Sequence, residues 1–265
     1  MTLTSATRST ERMNRILFEA GEIQADGTVT LSDGRATHIR DVLRVSTGGT
    51  LRTGTVDGLA GESKVLEVSE TQVRVLTEHT RTLPEPWFDL LLAAPRPKVL
   101  KRLWPQLAAL GAGRVVVVNA AKVEKCYFSS QWLDAAHYRP LLIEGLTQAG
   151  LTRLPRVLVR PRFRPFVEDE LDALFPGQVR LLAHPGPRTP LPQTIGGRAR
   201  PLLAVGPEGG WTDYEVRMLL ARGFELFSLG GHTLRTDTAC IALIAVLEYG
   251  FHELGDQWTK CGLNR

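Results

Sequence analysis

Two glycine-bearing segments near the carboxyl end hold the residue types best placed to do chemistry. They are Gly206-Pro207-Glu208-Gly209-Gly210-Trp211-Thr212-Asp213-Tyr214-Glu215 and Leu229-Gly230-Gly231-His232-Thr233-Leu234-Arg235-Thr236-Asp237-Thr238-Ala239. Each stands between an apolar run and a helix start, so two backbone-lined turns can face one ligand. Glycine lets the main chain come close to a ligand because it has no Cβ and tolerates positive φ. Turns of this kind often bind phosphate, but Glu208 within the loop would repel a polyphosphate and suits a neutral or cationic ligand. The Lys-Ser/Thr ending of a P-loop is missing, and so is a G-x-G-x-x-G fingerprint. Arg235 stands directly before a strongly apolar stretch. It is either a structural partner of Asp237 or Glu208, or an arginine aimed at an anionic substrate group. His184, ahead of Pro185-Gly186, and His232 are loop histidines that can reach a ligand or serve structure alone.

The elements that must position these groups can be read from their flanks. Residues 201–205 form a short apolar run ending at Gly206, the pattern of a buried strand. Thr212 and Glu215 have the spacing of a capping box. Val216, Leu219 and Leu220 then share one helical face, and Gly223 stands where a terminating glycine belongs. Residues 224–229 read as another strand. Thr236 and Asp237 are N-cap candidates for a helix from Thr238 to about Leu254. The stretch 239–247 is apolar on nearly every side, which requires burial in a core or a subunit interface. It is too short and too closely flanked by charge to span a bilayer.

The pair GPEGG-W-T-x-x-E and LG-x-x-x-LRTDTA resembles the cofactor site of the SPOUT superfamily of RNA methyltransferases, and within it the bacterial 16S (small-subunit) rRNA uridine-N3 methyltransferase family. The resemblance extends more loosely from Asn14-Arg15-Ile16-Leu17-Phe18 to the final helix. It implies an α/β fold class, with a small N-terminal PUA-like β-barrel and a C-terminal α/β domain threaded as a trefoil knot. Such a knot runs against the usual rule that chains do not thread loops. It also implies S-adenosyl-L-methionine as cofactor, a homodimer, and 16S rRNA or the small ribosomal subunit as partner. On this resemblance His184, Val205, Gly206, Pro207, Gly209, Gly210, Leu229, Gly230, Leu234, Thr236, Thr238 and Ala239 surround the cofactor. Arg235 is then expected to stabilise charge on the uracil carbonyl oxygens, and Glu208 to meet the cofactor's ammonium group or orient the substrate. No residue stands out as the base that takes the N3 proton.

Two departures bear on the acceptor. Where the family carries Thr-Glu-Leu-Gly, this chain has Ala108-Ala109-Leu110-Gly111, and of a later Glu-Gln-x-x-Arg it keeps Gln148 alone. Arg153 is a replacement arginine with a shifted reach. Another base or a ribose 2′-hydroxyl, in rRNA or tRNA, therefore stays open as acceptor, and so does a non-catalytic RNA-binding ribosome assembly factor.

The remainder fits two domains, expected at 13–82 and 87–265 behind a Ser/Thr-rich head of residues 1–12. The head lacks the apolar stretch of a secretion signal, and Met13 is an alternative start. Strand-like runs at 15–18, 29–32, 50–56, 63–68 and 72–77, with one helix-like piece at 38–44, point to a small barrel. After the proline-bearing linker 83–86, strands at 88–94, 115–118, 157–159 and 179–183 alternate with helices at 98–110, 138–149 and 168–175. That alternation predicts a parallel sheet. Pro105 is expected to kink or restart its helix.

With a formal net charge of +4 and a pI of about 9.1, the chain is basic without being histone-like. Arg96, Lys98, Lys101 and Arg102 form one basic cluster; Arg153, Arg156, Arg160, Arg162 and Arg164 form another. Either can neutralise phosphates or be a solvated face. Of the neighbouring aromatics Trp104, Tyr127, Phe128, Trp132 and Phe163, most are expected in the core. Three cysteines without a C-x-x-C pair and scattered histidines predict no metal and no disulfide framework, which fits a cytoplasmic setting and no membrane.

Overall fold

The computed structural model describes residues 14–188 and 200–260, with side chains to residue 251. The head 1–12, Met13 and Cys261 lie outside the described residues. The chain divides into two compact units, one running to Leu83 and including Leu146–Thr152, the other formed by Pro84–Gly145 and the chain from Arg153.

The first unit holds β1 (Ile16–Phe18), β2 (Thr28–Leu31), β3 (Thr50–Thr55), β4 (Ala60–Val68) and β5 (Val73–Arg81) in one sheet of order β1-β3-β4-β5-β2. Only the β1–β3 pair is parallel. Val65, Val73 and Val75 are buried with polar residues between them, the period-2 signature that made these strands legible. They pack with Ile16, Phe18, Val29 and Leu31. The helix-like piece is longer than expected: an α-turn at Gly34–Thr37, capped by Asp33, continues as a π-turn at His38–Leu43. It ends at Arg44 in the left-handed region.

Arg15 organises this unit. It is 1% exposed. Its Nε donates to the Gly150 carbonyl at 3.0 Å, and its Nη1 donates to the carbonyls of Thr53 at 2.6 Å and Gly61 at 3.2 Å. The Arg15 backbone N–H donates to Thr147 O at 2.9 Å. Burial first, then repulsion from Arg52 and Arg81, brings its pKa down to about 10, so it still folds as a cation at neutral pH. Arg15→Met is expected to strip two buried carbonyls and one half-buried carbonyl of their donor and destabilise the protein by about 3 kcal/mol or more. Urea unfolding monitored by circular dichroism measures this as a lower midpoint.

The second unit is built on six parallel strands: β6 (Phe88–Ala93), β7 (Ala112–Val118), β8 (Arg156–Arg160), β9 (Arg180–Ala183), β10 (Leu202–Val205) and β11 (Phe224–Phe227). Their order is β11-β9-β10-β6-β7-β8. Every residue of β6 and β10 is buried, as central strands covered on both faces must be. From β6 the chain moves outward through β7 and β8, then returns to the other side of β6. In open α/β sheets, ligands bind beyond the carboxyl ends of strands at such a reversal. The turns that follow β9, β10 and β11 leave that edge.

The helices used below are α1 (Pro97–Ala109), α2 (Ala135–Ala149), α3 (Asp213–Ala221) and α4 (Thr236–Lys260). Helix α1 continues through Pro105 without the restart that was one of the two expectations there. The carbonyl that Pro105 leaves without a donor belongs to Lys101, an exposed residue that water can serve. Gly145 lies so close to this turn that an added Cβ would fall 2.0 Å from the Pro105 oxygen. The helix-like run expected at 168–175 is present and starts earlier: Phe163 to Leu174 is helical throughout, as α, then π, then α turns.

Candidate functional site

The first glycine turn is built from both ends. On its helical side the capping box forms: Glu215 N–H donates to Thr212 Oγ1 at 3.3 Å, and Thr212 N–H donates to Glu215 Oε2 at 2.8 Å. In its middle Gly210 takes φ +70° and its N–H donates to Pro207 O at 2.8 Å. On its strand side Gly206 faces the Trp211 indole so closely that an added Cβ would stand 3.1 Å from two ring atoms. Trp211 is buried and packs on Phe163, with ring centroids 5.6 Å apart. Its indole N–H is buried with no hydrogen-bond partner among the described residues.

The second turn is held to the one after β9. Ser228 Oγ donates to Gly186 O at 3.0 Å and accepts the Gly230 N–H at 3.1 Å. His184 N–H donates to Phe227 O at 3.2 Å. Gly230 has φ +134°, a conformation side-chain-bearing residues rarely adopt. Helix α4 begins at Thr236 itself. Thr236 and Asp237 therefore belong to its first turn and are not N-caps ahead of it; the acidic Asp237 there complements the helix dipole.

The three turns enclose a cavity of about 350 Å³, within the size range of small-molecule sites. Its wall includes His184, Val205, Gly206, Pro207, Glu208, Gly209 and Gly210 from the first two turns, and Leu229, Gly230, His232, Leu234, Thr236 and Ala239 from the third. Two residues singled out in the sequence, Arg235 and Thr238, are not on the wall; both are exposed. The wall also includes Trp211, Phe227, Ser228 and Leu243, which sequence reasoning missed. Leu243 lies one helical turn beyond Ala239, so helical spacing alone would have found it. Phe227 sits opposite Ala183 in the β11–β9 register, which no local pattern reveals.

The charges around the cavity are apportioned differently from the pairing that sequence proximity suggests. Asp237 takes the Arg102 guanidinium at 2.6 Å, and that bond holds its carboxyl below the usual carboxylate range. Glu208 Oε1 accepts the Arg96 N–H at 3.1 Å, a carboxylate at the amino end of α1 where the helix dipole favours it. Arg235 is left with no ion pair or hydrogen-bonded side-chain partner among the described residues. In the second basic cluster, Arg160 pairs with Glu170 at 2.7 Å, Arg164 with Glu168 at 2.9 Å and Arg153 with Glu85 at 2.9 Å. Arg153 is thus engaged locally, and Gln148 is exposed. Trp104 is a core residue whose indole N–H donates to Trp132 O at 2.9 Å; Lys101 lies over the Trp132 ring. Cys240 is fully buried and its thiol is pushed up to about 12 by burial, a packing residue and not a nucleophile. Among the described residues no cluster of His, Cys, Asp and Glu is placed to hold a metal, and no helix is long and apolar enough to cross a membrane.

Glu215 has a further role that the capping-box pattern did not reveal. It is 3% exposed, and its Oε1 accepts the Ala121 N–H at 2.8 Å. One buried carboxylate therefore closes the glycine turn and fastens the loop after β7 to it. Glu215→Ala would leave the N–H groups of Ala121 and Thr212 without their acceptor. The expected cost is about 2–4 kcal/mol, read as a lower midpoint in chemical denaturation.

The sequence model of the RNA methyltransferase domain family matches residues 83–248. A ribosomal RNA small subunit methyltransferase E of Treponema pallidum is 30% identical over 246 residues, 91% of this chain and 92% of that relative. A crystal structure of a ribosomal RNA small subunit methyltransferase E from Neisseria gonorrhoeae, bound to S-adenosyl methionine, superposes with a TM-score of 0.72 at 22% identity, covering 89% of this chain and 98% of that one. A Legionella pneumophila methyltransferase structure in complex with the cofactor SAM gives 0.68 at 23% identity, over 90% of this chain and 98% of that one. The α/β fold of this chain is shared with these two structures. On its sequence and on the turns that carry its cavity, the chain belongs to the RNA methyltransferase domain family.

Proposed function

We propose that this chain transfers a methyl group from S-adenosyl-L-methionine to N3 of a uridine in the 16S rRNA of the small ribosomal subunit. The observation that carries the proposal is the convergence of the two motif turns, with the turn after β9, on one cavity of cofactor size. The chain's relatives are named for methylation of small-subunit rRNA.

The wall suits the cofactor. It is mostly backbone and apolar side chains, and a Cβ at Gly210 or Gly230 would meet nothing within 4 Å, so main chain borders open space there. Among the described residues of the wall the one carboxylate is Glu208, and it keeps an oxygen beyond the one bonded to Arg96, which can meet the ammonium of a methionine moiety or orient the substrate. His184, Val205, Gly206, Pro207, Gly209, Gly210, Leu229, Gly230, Leu234, Thr236 and Ala239 would hold the cofactor from the wall, with Thr238 just outside it. When bound, the cofactor supplies an electrophilic methyl group on a sulfonium centre. The protein's part is alignment, which accounts for much of the rate in such transfers, and stabilisation of the uracil anion. Arg235, exposed and flanked by Leu234 and Thr236 of the wall, takes the second role as an oxyanion-type donor to the uracil carbonyl oxygens.

The same proposal includes a PUA-like β-barrel at 13–82 that binds RNA, a trefoil-knotted domain at 87–265, a homodimer and a cytoplasmic location. Support for the dimer comes from α4, whose Ala245 is exposed and whose Tyr249 is 66% exposed although the helix is mostly apolar; such faces mark association sites. Ala109 and Gln148 favour one second reading, in which the same cofactor site serves another base or a ribose 2′-hydroxyl.

Calorimetric titration with S-adenosylhomocysteine tests the cofactor assignment. Saturable binding is the expected result. A folded protein that binds none would leave an RNA-binding assembly factor as the better account.

A further inference from the structure

The loop after β7 touches the outer side of the cavity's first turn at two points. Ala121 N–H donates to buried Glu215, and Lys122 Nζ donates to the Gly209 carbonyl at 2.9 Å. The Lys122 stem lies along Gly209, where an added Cβ would stand 3.1 Å from its Cδ and 3.3 Å from its Cβ. An exposed lysine normally keeps its side-chain freedom, worth about 2 kcal/mol of rotamer entropy. This one is held in place, and among the described residues no carboxylate forms an ion pair with it. An ammonium has three donors; the Gly209 carbonyl takes one, and two remain for an acceptor outside the protein. Arg96, exposed and bonded through its backbone to Glu208, adds a second cation beside the same turn.

We propose that Lys122 is a substrate-positioning residue that binds a backbone phosphate of the RNA next to the nucleotide delivered to the cavity. The proposal rests on the RNA methyltransferase reading above. A compact ammonium with rotating donors suits a phosphate oxygen better than the planar edge of a base, which favours arginine's fork. Phosphate contacts fix the register of a nucleic acid without reading its sequence. Enzymes that act on a base commonly bring it out of the stack into a pocket, and a phosphate held beside the Gly209 turn fixes where that nucleotide enters. Neither Glu215 nor Gly209 touches the RNA on this account. Glu215 sets the loop and Gly209 leaves room for the lysine stem.

The test compares Lys122→Met, which keeps the packed stem and removes the charge, with Lys122→Arg, which keeps the charge. Binding of each protein to a 16S rRNA transcript is measured by fluorescence anisotropy across a salt series. Kinetics and S-adenosylhomocysteine titrations run alongside. The expected result for Lys122→Met is a plot of log binding constant against log salt shallower by about 0.7–1. Its KM for RNA should rise several-fold, with kcat and S-adenosylhomocysteine affinity within about twofold of the parent. Lys122→Arg should restore the slope. An unchanged slope overturns the proposal. In that case a lowered kcat would place Lys122 at the reacting ring, and weakened S-adenosylhomocysteine binding would make it a support of the cavity wall. If the parent protein binds the transcript but methylates nothing, the methyltransferase reading fails, while the slope still reports on the phosphate contact.

Discussion

Gly206→Val is expected to raise the dissociation constant for S-adenosylhomocysteine by more than about a hundredfold, close to 3 kcal/mol of binding free energy. The reason is steric. A Cβ at this position would stand 3.1 Å from Trp211 Cδ1 and Nε1, and valine adds two further methyl groups that must enter either the indole or the cavity. Trp211 cannot easily yield, because it is buried against Phe163 on its other side. Forcing extra carbons into such packing costs about 1–3 kcal/mol in itself, and relief by moving toward the open side fills the space the cofactor needs. The variant should remain folded by circular dichroism, since the clash is confined to one turn. Titration calorimetry at matched protein concentration measures the loss. An affinity within threefold of the parent would show that the cofactor does not use this turn.

Arg235→Ala should lower kcat by about 10²–10³, the cost of removing one donor to a developing oxyanion, and leave S-adenosylhomocysteine affinity within threefold. Two carboxylates close in sequence or space, Asp237 and Glu208, are already engaged by Arg102 and by the Arg96 backbone. Arg235 is exposed and flanked by the wall residues Leu234 and Thr236, and within the protein its charge acts on Asp237, whose carboxyl it helps to hold low. Arg235→Lys should recover only part of the rate, because an ammonium lacks the planar fork that can span a carbonyl and its neighbour. Single-turnover kinetics with saturating cofactor separate these outcomes. A loss of cofactor affinity would move Arg235 to the binding wall, and an unchanged kcat would remove it from the reaction.

What the sequence made legible has a common physical cause. The capping box at Thr212 and Glu215, the glycine of positive φ at 210 and the buried strand before Gly206 are all written within a few residues of one another. Local backbone chemistry enforces them. The alternating burial of β4 and β5 and the continuous burial of β6 follow from periodicity in the same way. What escaped were interactions between segments distant in sequence. Ala121 meets Glu215 across 94 positions, Arg96 meets Glu208 across 112, and Arg102 meets Asp237 across 135. None leaves a periodic mark, so sequence alone leaves Arg102 open between a phosphate contact and a solvated face, and Asp237 between a helix cap and a partner of Arg235. Pro105 stays within one continuous helix for a related reason: its propensity to break a helix is local, but the packing of α1 through Leu103, Trp104 and Leu107, all fully buried, is not.

The central claim is tested most directly by nucleoside analysis of 16S rRNA after incubation with the purified protein and S-adenosylmethionine. Small subunits lacking the modification serve as substrate, and digestion to nucleosides is followed by mass spectrometry. The account predicts 3-methyluridine, formed by the parent protein and not by Gly206→Val. A methylated ribose or a different methylated base, or no new methyl group on RNA from a protein that binds S-adenosylhomocysteine, would contradict it.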